Sequence, residues 1–303
     1  MRKDAVAIEK QKKIKKLNFN FVAGDETRER DERKSMASPA PSAASTSRGS
    51  PSSPQDLLSS SQASSLFPPS AKKTAGDGVP APKAYLKEKI FNDPVHGHVS
   101  LHPACCLIID TPQFQRLQKL LQLGPTQWVF PGATHKRFAH SIGVSYLAGR
   151  FVEDLRERQP ELGITDQDVV CVKLAGLCHD LGHGPLSHTY DGKFVRKARP
   201  GVKWDHEWTS AALFEHCLCV NDLKQKMHDN WGLSEDDFHF VKELIFGAAS
   251  EAPPGHTWKG RGLNKAFLYE IVANHRNEID VDKFDYFKRD CYHLGIPVSF
   301  DSD

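Results

Sequence analysis

The residues of this chain best equipped for chemistry are histidines and aspartates set side by side. In the stretch 178–188, CHDLGHGPLSH, His179 adjoins Asp180 at the end of a segment too apolar to lie on a surface. Burying an imidazole and a carboxylate together is costly unless something compensates. A divalent cation does so, because both groups are its natural ligands and its charge offsets that of the aspartate. His183 follows His179 by four residues, on the same face if the helix continues, while Gly182, Gly184 and Pro185 bend the chain so that His188 can return to the same cavity. The plainer alternative for this stretch is an unusual helix C-terminus. In RFAHSI, 137–142, Arg137 and His140 stand three apart and share a helical face, so that a metal and a phosphate can be served together. A third piece, IDVDKFDYFKRD at 279–290, interleaves Asp280, Asp282, Asp285 and Asp290 with Val281, Phe284, Tyr286 and Phe287. Alone it reads as a charged amphipathic helix; it joins the set because a distant aspartate is wanted to close a coordination shell. All fifteen histidines lie after residue 95, but a single histidine is more often a core or surface group than a ligand, so adjacency and spacing carry the argument.

Helices must position these groups. Residues 166–181 follow Thr165 as an N-cap, and Val169, Val170, Val172, Leu174, Ala175 and Leu177 face nearly all round, as in a central buried helix. Residues 138–155 have helical spacing, and so do 111–123, where Pro112 suits a first turn and Phe114, Leu117, Leu120 and Leu121 recur before Gly124. Further helices are expected at 207–219, 234–245 and 265–274. The segment 89–103, KIFNDPVHGHVSLHP, mixes β-branched residues with Asp-Pro and His-Gly turn signals and predicts a small hairpin at the entrance of the domain. No internal repeat and no glycine-rich phosphate loop is present, so bound phosphates must be held by other means.

The remaining composition sets bounds. With 303 residues and 39% hydrophobic content the chain can hold one sizeable core. No apolar run approaches the roughly 20 residues that span a bilayer, and the start, MRKDAVAIEKQKKIKK, lacks the apolar stretch of a secretory signal, which points to an intracellular protein with no membrane partner. The seven cysteines are odd in number and lack CxxC spacing, which favours reduced thiols; Cys105, Cys106, Cys171 and Cys178 lie among apolar residues and read as core. The net charge of +2 hides an asymmetry, since residues 1–83 carry 15 Lys and Arg against 9 Asp and Glu. Residues 35–70, mostly Ser, Pro and Ala, bury too little apolar surface to offset the entropy of ordering, so residues 1–84 are expected to form a disordered basic tail and 85–303 the folded domain. Such a tail either stays solvated or binds phosphates, single-stranded nucleic acid included, by counterion release. Lys12, Lys13, Lys15 and Lys16 have the composition of a nuclear import signal, leaving nucleus and cytoplasm both open.

The order H, then HD, then D, as His140, His179-Asp180 and Asp282, is the signature of the HD phosphohydrolase superfamily. Beyond it, NDPVHGH, DTPQFQRL, FPGATHKRFAHSIGV, AGLCHDLGHGPLSH and NEIDVDKFDYF closely resemble the vertebrate sterile alpha motif and HD domain-containing deoxynucleoside triphosphate triphosphohydrolases, over about residues 85–300. The resemblance implies an all-α HD helical bundle with the hairpin at its N-terminal edge. It also implies one transition metal ion, iron, manganese or zinc, on His140, His179, Asp180 and Asp282, with magnesium riding on the substrate phosphates. The implied reaction is attack at the α-phosphorus of a deoxynucleoside triphosphate, dGTP among them, releasing deoxynucleoside and intact triphosphate and so limiting nucleotide pools and viral replication.

Residue by residue, the same match makes His206 the general acid for the leaving 5′ oxygen, with Asp191 orienting it and His183 and His188 completing the cavity. Arg137 and Lys283 meet the phosphates, the arginine as a fork and the lysine as a point charge. Gln122, Leu123, Tyr286 and Asp290 line the sugar pocket. Lys89, Asn92, Asp110, Gln115 and Arg116 occupy the positions of a guanine nucleotide activator (GTP or dGTP) site between subunits of a dimer or tetramer. Gln118 stands where the family has a base-reading arginine, which loosens activator specificity. Two departures stand out. The segment before residue 85 does not resemble a sterile alpha motif, and the chain stops at Asp303 where family members continue, so the sequence reads as a truncated product. The four ligands alone do not select a substrate: a phosphodiesterase or nucleotidase of the superfamily is one alternative, and an inactive fragment that binds nucleotide or single-stranded nucleic acid is another.

Overall fold

The apolar segment that opens the sequence argument is indeed the central element. The computed structural model describes residues 87–202, 204–247 and 258–298, which all fall in one compact unit. The expected basic tail, its lysine cluster and the extreme C-terminus lie outside the described residues. The fold is mostly helical, with an antiparallel hairpin of β1 (Lys89–Asp93) and β2 (Gly97–Leu101) at its N-terminal edge, as the sequence predicts. Helices α1 (Pro103–Ile109), α2 (Pro112–Gln115), α3 (Arg137–Arg158), α4 (Asp166–Cys178), α5 (His206–Val220), α6 (Leu223–Trp231), α7 (Glu235–Phe246) and α8 (Val281–Leu294) follow.

Helix α4 is buried on all sides because it is apolar on all sides: Val169, Val170, Cys171, Val172, Leu174, Ala175, Leu177 and Cys178 are all in the core. Each buried Val or Leu contributes about 1.5–3 kcal/mol of transfer free energy. It lies between α3 and α7, and α8 packs on the far side of α3. Gly176 permits the close approach of α3, since a Cβ there would stand 3.1 Å from the Val144 carbonyl oxygen. The start of α4 is fixed by a capping box, Thr165 with Asp168, and the start of α7 by another, Ser234 with Asp237. Arg261 ties the two together, donating from Nε to Asp168 at 2.6 Å and from Nη2 to Asp237, while Lys265 also pairs with Asp168.

Tertiary contacts override two sequence expectations. The helix expected over 111–123 stops after one α turn and a 3-10 turn, Arg116–Lys119, because Leu120 turns extended (φ −96°, ψ 118°) and residues 120–122 bond to the strand-like segment 135–137. The helix expected over 265–274 is a 3-10 helix, Leu263–Glu270, kinked at Lys265. There the Lys265 tie to Asp168 and the Tyr269 hydroxyl, which donates to Glu243 at 2.9 Å, fix the backbone in place of helical propensity. Helices α1 and α6 were not expected. The first hides behind Pro103, which read as the end of the hairpin, and the second buries only Leu223 and Met227. Cys105, Cys106, Cys171 and Cys178 are buried free thiols, as expected. Among the described residues no helix is long and apolar enough to cross a membrane.

Helices α5, α6 and α7 meet at Glu215, which accepts from Lys224 at 2.7 Å and Lys242 at 2.8 Å. Burial opposes its ionisation, but the two ammonium groups prevail and hold its pKa down at about 2, against 4.5 ordinarily. Because the folded value is the lower one, the stabilisation is complete above pH 4.5 and is lost as pH falls toward 2. Melting temperatures of wild type and Glu215→Gln are therefore expected to differ at neutral pH and to converge below pH 4.5; a constant offset would contradict this reading.

Candidate metal and phosphate site

Three helix ends build the site. Helix α4 ends at Cys178 and the chain turns through His179, Asp180 and His183; α3 begins at Arg137 and places His140 one turn in; α8, capped by Asp280 accepting from the Lys283 amide, places Asp282 in its first turn. The structure brings His140, His179, Asp180 and Asp282 together. Both imidazoles are fixed through Nδ1, that of His140 against Asp285 Oδ2 at 2.7 Å and that of His179 against the Gly176 carbonyl at 2.8 Å. Both Nε2 atoms consequently face inward. Asp282 Oδ1 lies 2.9 Å from His140 Nε2 and 3.3 Å from His179 Nε2; Asp180 Oδ2 lies 3.3 Å from the former and Oδ1 3.5 Å from the latter.

Separations near 3 Å are those of donors that share one ion at about 2.0–2.2 Å. His179 Nε2 is buried without a hydrogen-bond partner, a state that a coordinated cation relieves. The donor atoms of His140, His179 and Asp180 lie within 4.8 Å of one another, and with Asp282 beside the two imidazoles the set fits a divalent metal. Asp282 keeps 31% of its side chain accessible whereas His140 keeps 1%, so the site opens on the Asp282 side. Burial works against charge on all four groups while the opposite charges beside them favour it, so a cation that binds here displaces protons from the two Nε2 atoms. His140 is pushed up to about 10 by Asp282, Asp285 and Asp180, and Asp180 is held far below the carboxylate range by Arg137, His179 and His183.

A second constellation adjoins the first. His183, His188, Asp191 and His206 offer donor atoms within 4.8 Å of one another. His183 links the two groups, with Nε2 3.2 Å from Asp180 Oδ1 and Nδ1 3.3 Å from Asp191 Oδ2. Its ring stacks on His206 at 4.0 Å between centroids. The helix does not continue through His183; the chain bends over Gly182, Gly184 and Pro185. Instead Leu186 and Ser187 adopt left-handed conformations (φ 63° and 54°), a strained turn that swings His188 back, and a π-helix, Tyr190–Val195, carries Asp191. Burial, reinforced by the neighbouring His183, lowers His188 to about 4 and His206 to about 3. Neutral imidazoles beside a carboxylate can hold a cation or pass a proton.

The other candidate residues are placed as follows. Arg137, buried, pairs with Asp180 and donates to Ser187 Oγ at 2.9 Å, so its fork grips a candidate ligand and the strained turn. Asp282, Tyr286 and Asp290 share one face of α8, with the Tyr286 ring 6.4 Å from that of His140. Lys283 is on the next position of that helix. Asp290 accepts from His135 at 2.7 Å, and the His135 carbonyl accepts from the Gln122 amide at 3.0 Å, which brings Gln122 and Leu123 beside α8; Gln122 Oε1 is buried without a partner.

On the hairpin side, Lys89 pairs with Asp110, and Gln118 donates to Gln115, which donates to the Ile109 carbonyl. Asn92 stands an odd number of residues from Lys89, on the opposite face of β1. Arg116 turns inward and donates to the carbonyls of Leu181 and His183, bracing the HD turn itself. Sequence reasoning passed over Asp93, His96 and Arg289, and noted Asp285 without a role; only the fold brings them to His140.

Comparison with known proteins finds relatives of this domain. Residues 137–231 match the HD domain family. The chain is 56% identical over 215 residues to the Gallus gallus protein named deoxynucleoside triphosphate triphosphohydrolase SAMHD1, covering 70% of this chain and 35% of the relative. It is likewise 56% identical over 215 residues to the Homo sapiens protein of that name (70% and 34%) and 44% identical over 210 residues to the Dictyostelium discoideum homolog (68% and 37%). It spans about a third of the length of these curated relatives.

Proposed function

We propose that this chain, which carries an HD domain, is a metal-dependent hydrolase of deoxynucleoside triphosphates, cutting at the α-phosphorus to release deoxynucleoside and triphosphate. The observation that carries the reading is the convergence of His140, His179, Asp180 and Asp282 beside the cluster of His183, His188 and His206. Its support in kind is the identity to relatives whose names state that reaction. When bound to the four residues, a divalent iron, manganese or zinc ion supplies Lewis acidity toward phosphoryl oxygen and acidifies water.

The chain's own residues do the rest. Arg137 holds Asp180 in its ionised form, and Lys283 on the open side meets substrate phosphates that arrive with magnesium. The water oxygen bonds to the α-phosphorus and gives up a proton to solvent as the bond to the 5′ oxygen breaks, and that oxygen leaves with a proton from His206, which regains one from solvent. Burial lowers the proton affinity of His206 and the arriving polyphosphate raises it; the carboxylates of Glu207 and Asp191 lie 3.2 and 3.7 Å from its Nδ1, and Asp191 is the one that orients the ring once the ligand draws it in. His183 and His188 wall the cavity. Gln122, Leu123, Tyr286 and Asp290 form the sugar pocket, where close packing and the Asp290 carboxylate select against ribose.

Activation by guanine nucleotide falls to Lys89, Asn92, Asp110, Gln115 and Arg116 in an oligomer, with Gln118 weakening base selection. Arg116 would serve through the HD turn it braces. A nuclear location and restriction of viral replication extend the same reading.

Incubating the purified chain with dGTP and Mn²⁺ and separating the products tests the proposal. Inorganic triphosphate and deoxyguanosine in equal amounts are expected. Deoxyguanosine monophosphate would transfer the chain to the nucleotidase or phosphodiesterase reading, and no product under any divalent metal would leave a nucleotide-binding fragment.

A further inference from the structure

We infer that Asp285, backed by Arg289, His96 and Asp93, is a positioning group that sets His140 for cation binding and makes the affinity of the metal site depend on the β-hairpin. The inference rests on the metal-site reading above. Asp285 is fully buried and accepts four hydrogen bonds on two oxygens. Oδ2 receives Arg289 Nε at 2.8 Å and His140 Nδ1 at 2.7 Å; Oδ1 receives Arg289 Nη2 at 2.8 Å and His96 Nε2 at 2.6 Å. A carboxylate gripped by two nitrogens of one guanidinium, Nε and Nη2, is ionised and can only accept. The proton on His140 therefore sits on Nδ1, and its Nε2 is the atom left to coordinate. A carboxylate behind an imidazole also raises its basicity as a ligand.

The arrangement is built into the helices. At Gly143, one turn beyond His140, a Cβ would stand 1.9 Å from Asp285 Oδ1 and 2.4 Å from Arg289 Nη2, so the ion pair fills the space a side chain would take. The remaining arm of Arg289, itself fully buried, donates from Nη1 to Asp93 Oδ2 at 2.8 Å. Asp93 closes β1, and its Oδ1 accepts from the amides of Val95 and His96 at 2.8 and 3.0 Å. One aspartate thus shapes the hairpin turn, places His96 and anchors Arg289. A network kept for stability alone has no need to end on the Nδ1 of a candidate ligand, and buried ion pairs are in general poor stabilisers compared with apolar side chains.

The test is the Co²⁺ affinity of the whole chain, followed by its visible absorption with chelator competition, for wild type, Asp285→Asn, Asp93→Asn and the core truncation Met227→Ala. Asp285→Asn is expected to bind Co²⁺ about 10–100-fold more weakly with altered absorption, as for other outer-shell partners. Asp93→Asn is expected to weaken binding in the same direction, and Met227→Ala to leave it unchanged although it is destabilised. Should Asp285→Asn fail to fold, Asp93→Asn and His96→Gln decide. Wild-type affinity in the aspartate variants, or equal weakening in Met227→Ala, overturns the positioning role while leaving the metal site standing. A wild-type chain that binds no cation overturns both.

Discussion

Replacing Asp180 with asparagine is expected to weaken metal binding by more than about a hundredfold and to abolish turnover, with the fold retained. Loss of an outer-shell partner alone costs about 10–100-fold in metal affinity, and Asp180 stands among the donors themselves, within 3.3 Å of His140 Nε2 and 3.5 Å of His179 Nε2. It is also the charge against which Arg137, His179 and His183 are arranged. The amide is nearly isosteric, so it preserves packing and removes the charge that offsets the cation. Calorimetric titration with Mn²⁺, run beside the product assay, checks this. Unchanged affinity would remove Asp180 from the coordinating set, and unchanged turnover would remove the metal from the reaction.

Gly182→Ala is expected to be strongly destabilising. A Cβ at 182 would lie 2.3 Å from the His206 carbonyl oxygen, 2.4 Å from the Ser210 amide nitrogen and 2.8 Å from the Thr209 carbonyl carbon. All three are backbone atoms of α5, which cannot yield as the end of a flexible side chain can. The Gly182 amide also donates to Ser210 Oγ at 2.7 Å, clamping the HD turn to the first turns of α5. Overpacking of this kind costs roughly 1–3 kcal/mol, and the absence of any yielding neighbour places this site at about 3. For a domain of this size that lowers the melting temperature by about 6–12 °C. The same shift separates His179 and Asp180 from His206, so catalysis should fall further than stability explains. Gly192, whose Cβ would meet nothing within 4 Å, is the control, and Gly192→Ala should melt with wild type. Equal melting of both variants would show that the turn is not clamped against α5.

How much of this was legible in the sequence depends on the range of the interaction. The buried character of α4 follows from its own residues, and adjacency of His179 and Asp180 at its end follows with it. The convergence of His140 and Asp282 on that pair came from the family pattern, because nothing local in 137–142 or 279–290 distinguishes a ligand from a residue of a polar face. The premature ends of the helices expected at 111–123 and 265–274 were illegible for a related reason. Their backbones are captured by partners far along the chain, His135 to Arg137 in one case and Asp168 and Glu243 in the other. Arg116 shows the same limit in a side chain: the family resemblance implies a nucleotide contact, and only the fold shows that it also donates to the carbonyls of Leu181 and His183. Asp285 and Arg289 stand four apart on α8, a spacing that pairs them, but their links to Asp93 and His140 span nearly the whole domain, and no spacing rule reaches those.

The measurement that bears most directly on the account is the metal content of the chain after stripping with chelator, reloading with Mn²⁺ and desalting. One equivalent per chain is predicted for wild type, with retention lost in His140→Ala, His179→Ala and Asp282→Ala alike, since each removes a donor from the same ion. A chain that retains no metal, or retains it equally in all three variants, would contradict the shared site on which the proposed chemistry depends.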